Sequence, residues 1–292
     1  MLHNTWKMLV QTAKVTPAIS PEQDKLVLLL ITMGALRIFS HRTQSGETES
    51  KDIPFPRDEE ENDSNLPFLA RDLQNDWITK SQDFTSRERE SLAAFTAKLY
   101  VAGSYDNELS FVGLWLLKNT LEEEIPLRGN TDEGGDKSQH EGSTPKSTIA
   151  DLLPACFAWL SNANYKLVTM AAKNYSPSPP DFTTSDHGAE IEPRNKAVKA
   201  NINGPGFSLS RWVFWILRLK ELTSCADEEI SSLAKQSFDV MIHTSLVLGI
   251  DVHGEKNYFD KVHEALDVEF KARGMTGCVD ASDISIYFDW AD

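Results

Sequence analysis

The residues that most restrict the fold of this chain are Phe207 to Leu222, FSLSRWVFWILRLKEL. Six apolar residues run without interruption from Trp212 to Leu217, and Leu219 and Leu222 extend the pattern by another turn. Taken alone, six apolar residues also fit a buried strand. The continuation through Arg218, Lys220 and Glu221, together with the total length, favours a helix. A helix that is apolar nearly all round is expected at the centre of a fold rather than on its surface. Ser208 is placed to cap it, because a serine hydroxyl accepts from a backbone N–H of the first turn. Gly204-Pro205-Gly206 breaks whatever precedes it.

The rest of the chain reads as helices separated by polar breaks. Trp6, Leu9, Val10 and Ala13 share one helical face, which Thr16-Pro17 ends. Ser20-Pro21-Glu22-Gln23 combines a capping serine, a proline at the first helical position and a glutamine at the third. A helix is expected from there to about Phe39, mostly buried along Leu26 to Ile31. Leu66 to Ile78 resumes helical spacing through Phe68, Leu69, Leu73 and Trp77. Thr85-Ser86-Arg87-Glu88 fits a capping box ahead of a helix over 86–102, with Leu92, Phe95 and Leu99 towards the core. Further helices are expected over Leu109–Leu121, over Ile149–Asn174 with Pro154 in the first turn or at a kink, and from Asp227 to a stop at Gly249. A last amphipathic helix is expected over about 256–273, and residues 284–290 fit either a short helix or an edge segment.

Three stretches lack the apolar residues needed to offset ordering entropy and are expected to be flexible loops: 43–65, which holds eight acidic residues, then 126–147 and 175–206. Eight helical segments and no convincing strand pair imply an all-α fold. The expectation is a single-domain helical bundle of about eight helices over residues 1–292, with long flexible loops.

Charge excludes one class of partner. With 29 Lys and Arg against 44 Asp and Glu the net charge is −15, which opposes a surface that tracks phosphates, so no nucleic acid is expected. Cys156, Cys225 and Cys278 are odd in number and far apart, a pattern of neither a disulfide framework nor a CxxC metal site, and suited to a reducing compartment. The first residues, MLHNTWKMLVQTAK, lack the apolar core of a secretory signal, and the longest apolar run, Leu26–Leu36, is too short to span a bilayer. A soluble cytoplasmic protein that does not use a membrane is expected.

Chemistry-bearing motifs are sparse. The sequence contains no GxxxxGK[ST] or GxGxxG phosphate loop, no GxSxG elbow and no HExxH, so no cofactor is expected. Asp260, His263, Glu264 and Asp267 share one face of the last expected helix, but no matching ligands occur elsewhere, and the face reads as solvated; no metal is expected. The acidic run Asp58–Asp63 has the residue types of a magnesium-diphosphate motif but falls in an expected loop. Cys225 shows no adjacent base. The binding candidates are therefore Arg211, Trp212, Trp215, Arg218 and His243. The two arginines lie seven residues apart on one helical face, and if buried they need acidic partners or frame an anionic pocket. Structural pairing with Asp or Glu is the simpler reading. The tryptophans read first as core, and His243, between Ile242 and Leu246, as a hydrogen-bonded core histidine before a catalytic base.

The segment NGPGFSLSRWVFWILRLKEL resembles the hallmark of the fungal family DUF3632: a Gly-Pro stretch, Gly-Phe, then Arg-Trp-x-Phe-Trp and a basic, apolar helix. Trp6 with Lys25-Leu26-Val27, Asn65-Leu66-Pro67-Phe68 before Trp77, Ala93 to Leu99, and Ala158-Trp159-Leu160 agree in order, so the likeness runs from near residue 6 to about 245. The resemblance implies a protein of a fungal secondary-metabolite gene cluster, of the kind that makes oxopyrrolidine-type polyketide–peptide hybrids. It brings no reaction and no catalytic residue. The expected function is an accessory protein of such a pathway, holding a hydrophobic small molecule or a partner enzyme near the central helix, with 175–206 as a lid. The alternatives are a pathway enzyme, a cyclase or transferase, and a helical interaction scaffold.

Overall fold

A computed structural model describes residues 2–45, 68–103, 106–129, 147–178 and 191–249, with isolated positions at 264, 267, 268, 271 and 272. Among the described residues there are nine α-helices and no strand: α1 (Leu2–Val15), α2 (Pro21–Ser45), α3 (Leu69–Lys80), α4 (Ser86–Val101), α5 (Asp106–Leu117), α6 (Ile149–Ala172), α7 (Asn195–Lys199), α8 (Leu209–Thr223) and α9 (Glu228–Val247). A 3-10 turn, Ser81–Asp83, precedes α4, and a π-helical turn, Lys118–Glu122, closes α5. The all-α expectation holds. The expected helix over 256–273 falls almost wholly outside the described residues, and the segment 284–290 lies entirely outside them.

Local chemistry sets the helix ends. At α4 the Thr85 hydroxyl accepts from Glu88 N at 3.2 Å while the Glu88 carboxylate accepts from Thr85 N at 2.8 Å, the expected capping box. An equivalent box at α6, between Thr148 and Asp151, is one that the sequence reading passed over. Two further first-turn donors of α6 reach back to the chain after the π turn, Ile149 N to Pro126 O and Ala150 N to Leu127 O, so the start of the polar stretch 126–147 is tied down. Pro154 sits in the second turn of α6, not the first. Its ring leaves Ala150 O without its helical donor, and the Ser86 hydroxyl lies 3.4 Å from that oxygen. Ser208 caps α8 through Arg211 N, as expected, and Asp227 caps α9 through Ile230 N.

The helix at the centre is α6, not α8. It packs against α4, α5, α8 and α9. Its approach to α5 is close: a Cβ on Gly113 would meet the Trp159 ring at 2.9 Å. One apolar cluster extends from Trp6 through this helix to Ile242. In contrast, α8 buries Trp212, Trp215, Ile216, Leu219 and Leu222 but leaves Leu209 and Leu217 exposed, so its six-residue apolar run encodes one buried face and one partly open face.

The run Leu26–Ile31 departs from expectation in the same way. Val27 and Leu30 are buried against α4, whereas Leu28, Leu29 and Ile31 are exposed. Gln23 does not reciprocate a capping box either. It is buried, and its Nε2 lies within hydrogen-bonding distance of Ala13 O (3.0 Å), Thr16 O (2.8 Å) and Ser91 O (3.0 Å), joining α1, α2 and α4. The described part of 175–206 is likewise no open loop. It contains α7, and Phe207 N donates to Tyr175 O at 2.8 Å while Gly206 N donates to Ile191 O at 3.0 Å.

Candidate functional site

Arg211 lies in the first turn of α8, and its side chain is fully buried opposite Glu122, also fully buried, on the π-helical turn. A single π turn inserts one residue into a helix and redirects the side chains that follow. Here it points Glu122 into the protein, although its neighbours Glu123 and Glu124 are half-buried and exposed. The pair is bidentate: Arg211 Nε donates to Glu122 Oε1 at 2.5 Å and Nη2 to Oε2 at 2.9 Å. The other arginine donors reach backbone carbonyls of the segment that precedes α8. Nη1 donates to Ile191 O at 2.9 Å and Gly206 O at 2.6 Å, and Nη2 reaches Glu192 O at 3.4 Å. All five guanidinium N–H groups thus have protein acceptors.

Glu122 is saturated in turn. Its Oε1 also accepts from the Trp215 indole N–H at 2.7 Å, and its Oε2 from Arg194 N at 3.0 Å. The three consecutive glutamates each hold a different cation: Glu122 pairs with Arg211, Glu123 with Arg194 at 3.7 Å and Glu124 with Lys199 at 3.5 Å. Segment 191–206 is strapped across the π turn by this triplet. Gly206 makes the close approach possible, since it holds φ 75° and a Cβ there would sit 2.5 Å from Tyr175 O. Phe207 meets Trp215 edge-on at 6.2 Å, and Trp215 meets Trp212 at 6.4 Å. Trp212 turns its own indole N–H to Ser245 Oγ on α9, at 2.9 Å.

The structure therefore brings three of the five candidates, Arg211, Trp212 and Trp215, into one buried cluster in which every polar donor has a protein partner. Arg218 does not join it. Seven residues along a helix amount to roughly 10 Å of rise, so a shared face still carries Arg218 beyond the ion pair. Its side chain is 14% exposed, Nη1 pairs with Glu221 at 2.5 Å, and Nε is buried without a hydrogen-bond acceptor among the described residues. His243 is exposed on α9, flanked by the buried Ile242 and Thr244, and so is not the core histidine that its apolar neighbours imply. Cys156 is buried and its thiol is pushed up to about 12 by loss of water, leaving little thiolate at neutral pH. Cys225 is half-buried and directs Sγ to Asp227 O at 3.4 Å. No group of three or more metal-ligating side chains is found among the described residues, and no described helix is long and apolar enough to cross a membrane.

Glu122 is the residue that sequence reasoning missed. The available signal was its place in the triplet Glu122-Glu123-Glu124, directly after an apolar helix and within a chain whose Arg211 needed an acid.

These features define a helical protein built on a buried, hydrogen-bonded arginine–glutamate–tryptophan cluster. A family model described as "Protein of unknown function (DUF3632)" matches residues 6–219, and the chain belongs to that family. It is also 25% identical over 253 residues to the "Oxopyrrolidines biosynthesis cluster protein G" of Penicillium oxalicum (strain 114-2 / CGMCC 5302). That match covers 83% of this chain and 66% of the relative, so the chain spans slightly less than two thirds of the relative's length. No solved structure matches.

Proposed function

We propose that this protein is an accessory component of a fungal secondary-metabolite pathway, acting by binding a partner enzyme on the outer side of α8. The pathway assignment rests on similarity to the oxopyrrolidine cluster protein over 83% of the chain. The mode of action rests on one observation: Arg211 on the buried side of α8 is saturated, whereas Leu209 and Leu217 leave the other side of the helix partly open. Arg211 has all five donors engaged inside the protein, so its cluster offers no open valence to an incoming anion. Next to the open Leu217, which is 39% exposed, Arg218 pairs through Nη1 with Glu221 and keeps a buried Nε without an acceptor among the described residues. A partly exposed leucine bordered by an arginine–glutamate pair is a combination suited to a protein interface, where apolar contact supplies affinity and the charged rim supplies direction. On this reading Arg211, Trp212 and Trp215 position α8, and Arg218 and Leu217 meet the partner.

Deleting the gene in its native host and profiling metabolites tests the pathway role. The expected result is loss of one related group of products, with accumulation of an intermediate. An unchanged profile would overturn the assignment.

A further inference from the structure

Residues 191–206 form a loop whose two ends meet and whose middle is held by charge. At its neck Gly206 N donates to Ile191 O at 3.0 Å, and Arg211 Nη1 donates to both Ile191 O and Gly206 O. A surface loop of this length with joined ends is an Ω-loop, a class that frequently carries function. The span between the ends is anchored differently. Within 191–206 only Ile191, Ala197 and Gly206 are buried, and two of these three belong to the neck. The rest is held to the π turn by the Arg194 N bond to Glu122 Oε2 and by two ion pairs, Arg194 with Glu123 at 3.7 Å and Lys199 with Glu124 at 3.5 Å. Neither pair is tight: Lys199 and Glu124 are exposed, and Arg194 Nε has no hydrogen-bond acceptor among the described residues.

We propose that residues 193–205 are an electrostatic latch that swings off the π turn about the neck clamped by Arg211 while the helical body stays folded. Charge favours the shut position. The loop carries Arg194, Lys196 and Lys199 against Glu192, in a chain whose net charge is −15, so closure brings opposite signs together and salt opposes it. The backbone allows the movement. Gly204 holds φ 95° with open space where a Cβ would stand, so the chain turns there without a side chain to strain or clash. Local stability points the same way, because a segment with few buried apolar groups opens at lower free energy than core helices do. The Arg211–Glu122 pair stays intact, since the backbone acceptors of Arg211 lie at Ile191, Glu192 and Gly206, outside the moving part. Opening frees Glu123 and Glu124, so the acids that shut the latch become a surface for a cation-bearing group. The latch does not depend on the partner surface proposed on α8.

Hydrogen–deuterium exchange with mass spectrometry on the full chain tests the proposal. Helix α7 has only five residues, too short to be stable alone, so the amides of Val198, Ala200, Asn201 and Ile202 are protected only while the latch is shut. They are expected to exchange at least about 100-fold faster than the centre of α6. Glu123→Gln/Glu124→Gln is expected to speed them by roughly 2- to 30-fold, the worth of two exposed ion pairs, and about 0.5 M NaCl to speed the wild type in the same direction. Exchange in α6 is expected to keep its wild-type rate in both cases. Amides of α7 as slow as those of α6, no response to the substitutions or to salt, or an equal acceleration in α6 would each overturn the proposal.

Discussion

Replacing Arg211 by methionine separates a structural cluster from a ligand site. The substitution keeps much of the side-chain volume but removes five donors at once. It leaves Glu122 fully buried with only the Trp215 indole N–H and Arg194 N, and leaves Ile191 O and Gly206 O without the arginine. Breaking a buried ion pair from one side costs about 3–5 kcal/mol, because the remaining charge is uncompensated. At about 2–4 °C per kcal/mol for a domain of this size class, Tm is expected to fall by about 6–20 °C. Differential scanning calorimetry with far-UV circular dichroism measures this directly. Glu122→Leu in the same background removes the stranded charge and is expected to restore part of the loss, giving a coupling energy of the opposite sign to the single effects. If Arg211→Met shifted Tm by less than about 2 °C yet abolished the pathway product, the cluster would be a binding site and the structural reading would be wrong.

Other consequences are simpler to check. Gly206→Ala is expected to destabilise by about 2–5 kcal/mol, combining left-handed strain with the clash on Tyr175 O, whereas Gly204→Ala, with open space around its Cβ, is expected to cost only about 1–2 kcal/mol in urea melts. Asp227 is held at about 2, below its ordinary 3.8, first by the Arg128 guanidinium and then by the Ile230 N–H. A carboxylate depressed in the folded state contributes stability above its unfolded value and loses it as pH falls through the folded one, so wild-type stability should drop between about pH 4 and 2. Asp227→Asn keeps the cap and should flatten that part of the curve; an equally steep acid limb in the variant would rule the linkage out. The Cys156 thiol should resist alkylation at pH 8 until the protein unfolds, read by mass spectrometry, because burial lifts it to about 12.

The helices were legible because their signals are local. Capping at Thr85 and Ser208, acidic residues at the start of α9, and the apolar spacing between them each depend on residues a few positions apart, and these segments formed as read. Burial was less legible, because an apolar run does not state how many of its faces will be covered. LVLLLI in α2 reads as mostly buried and WVFWIL in α8 as central, and both keep an open side. Which glutamate of the triplet Glu122-Glu123-Glu124 partners Arg211 was hard to read for a different reason. Glu122 is 89 residues away in sequence, and it points inward only because a π turn redirects the end of α5. No short-range pattern encodes that turn. His243 shows the converse error: apolar neighbours on both sides imply burial, but on α9 they flank an exposed position.

The central claim is that α8 buries one face to hold the fold and presents the other to a partner. The most direct measurement is the metabolite profile of the native host carrying Leu217→Glu in place of the wild-type gene, with Tm of the purified variant measured alongside. Loss of the product at a Tm within about 2 °C of wild type is the predicted result, since changes at partly exposed positions away from caps and cores usually alter stability little. A wild-type metabolite profile from that strain would contradict it.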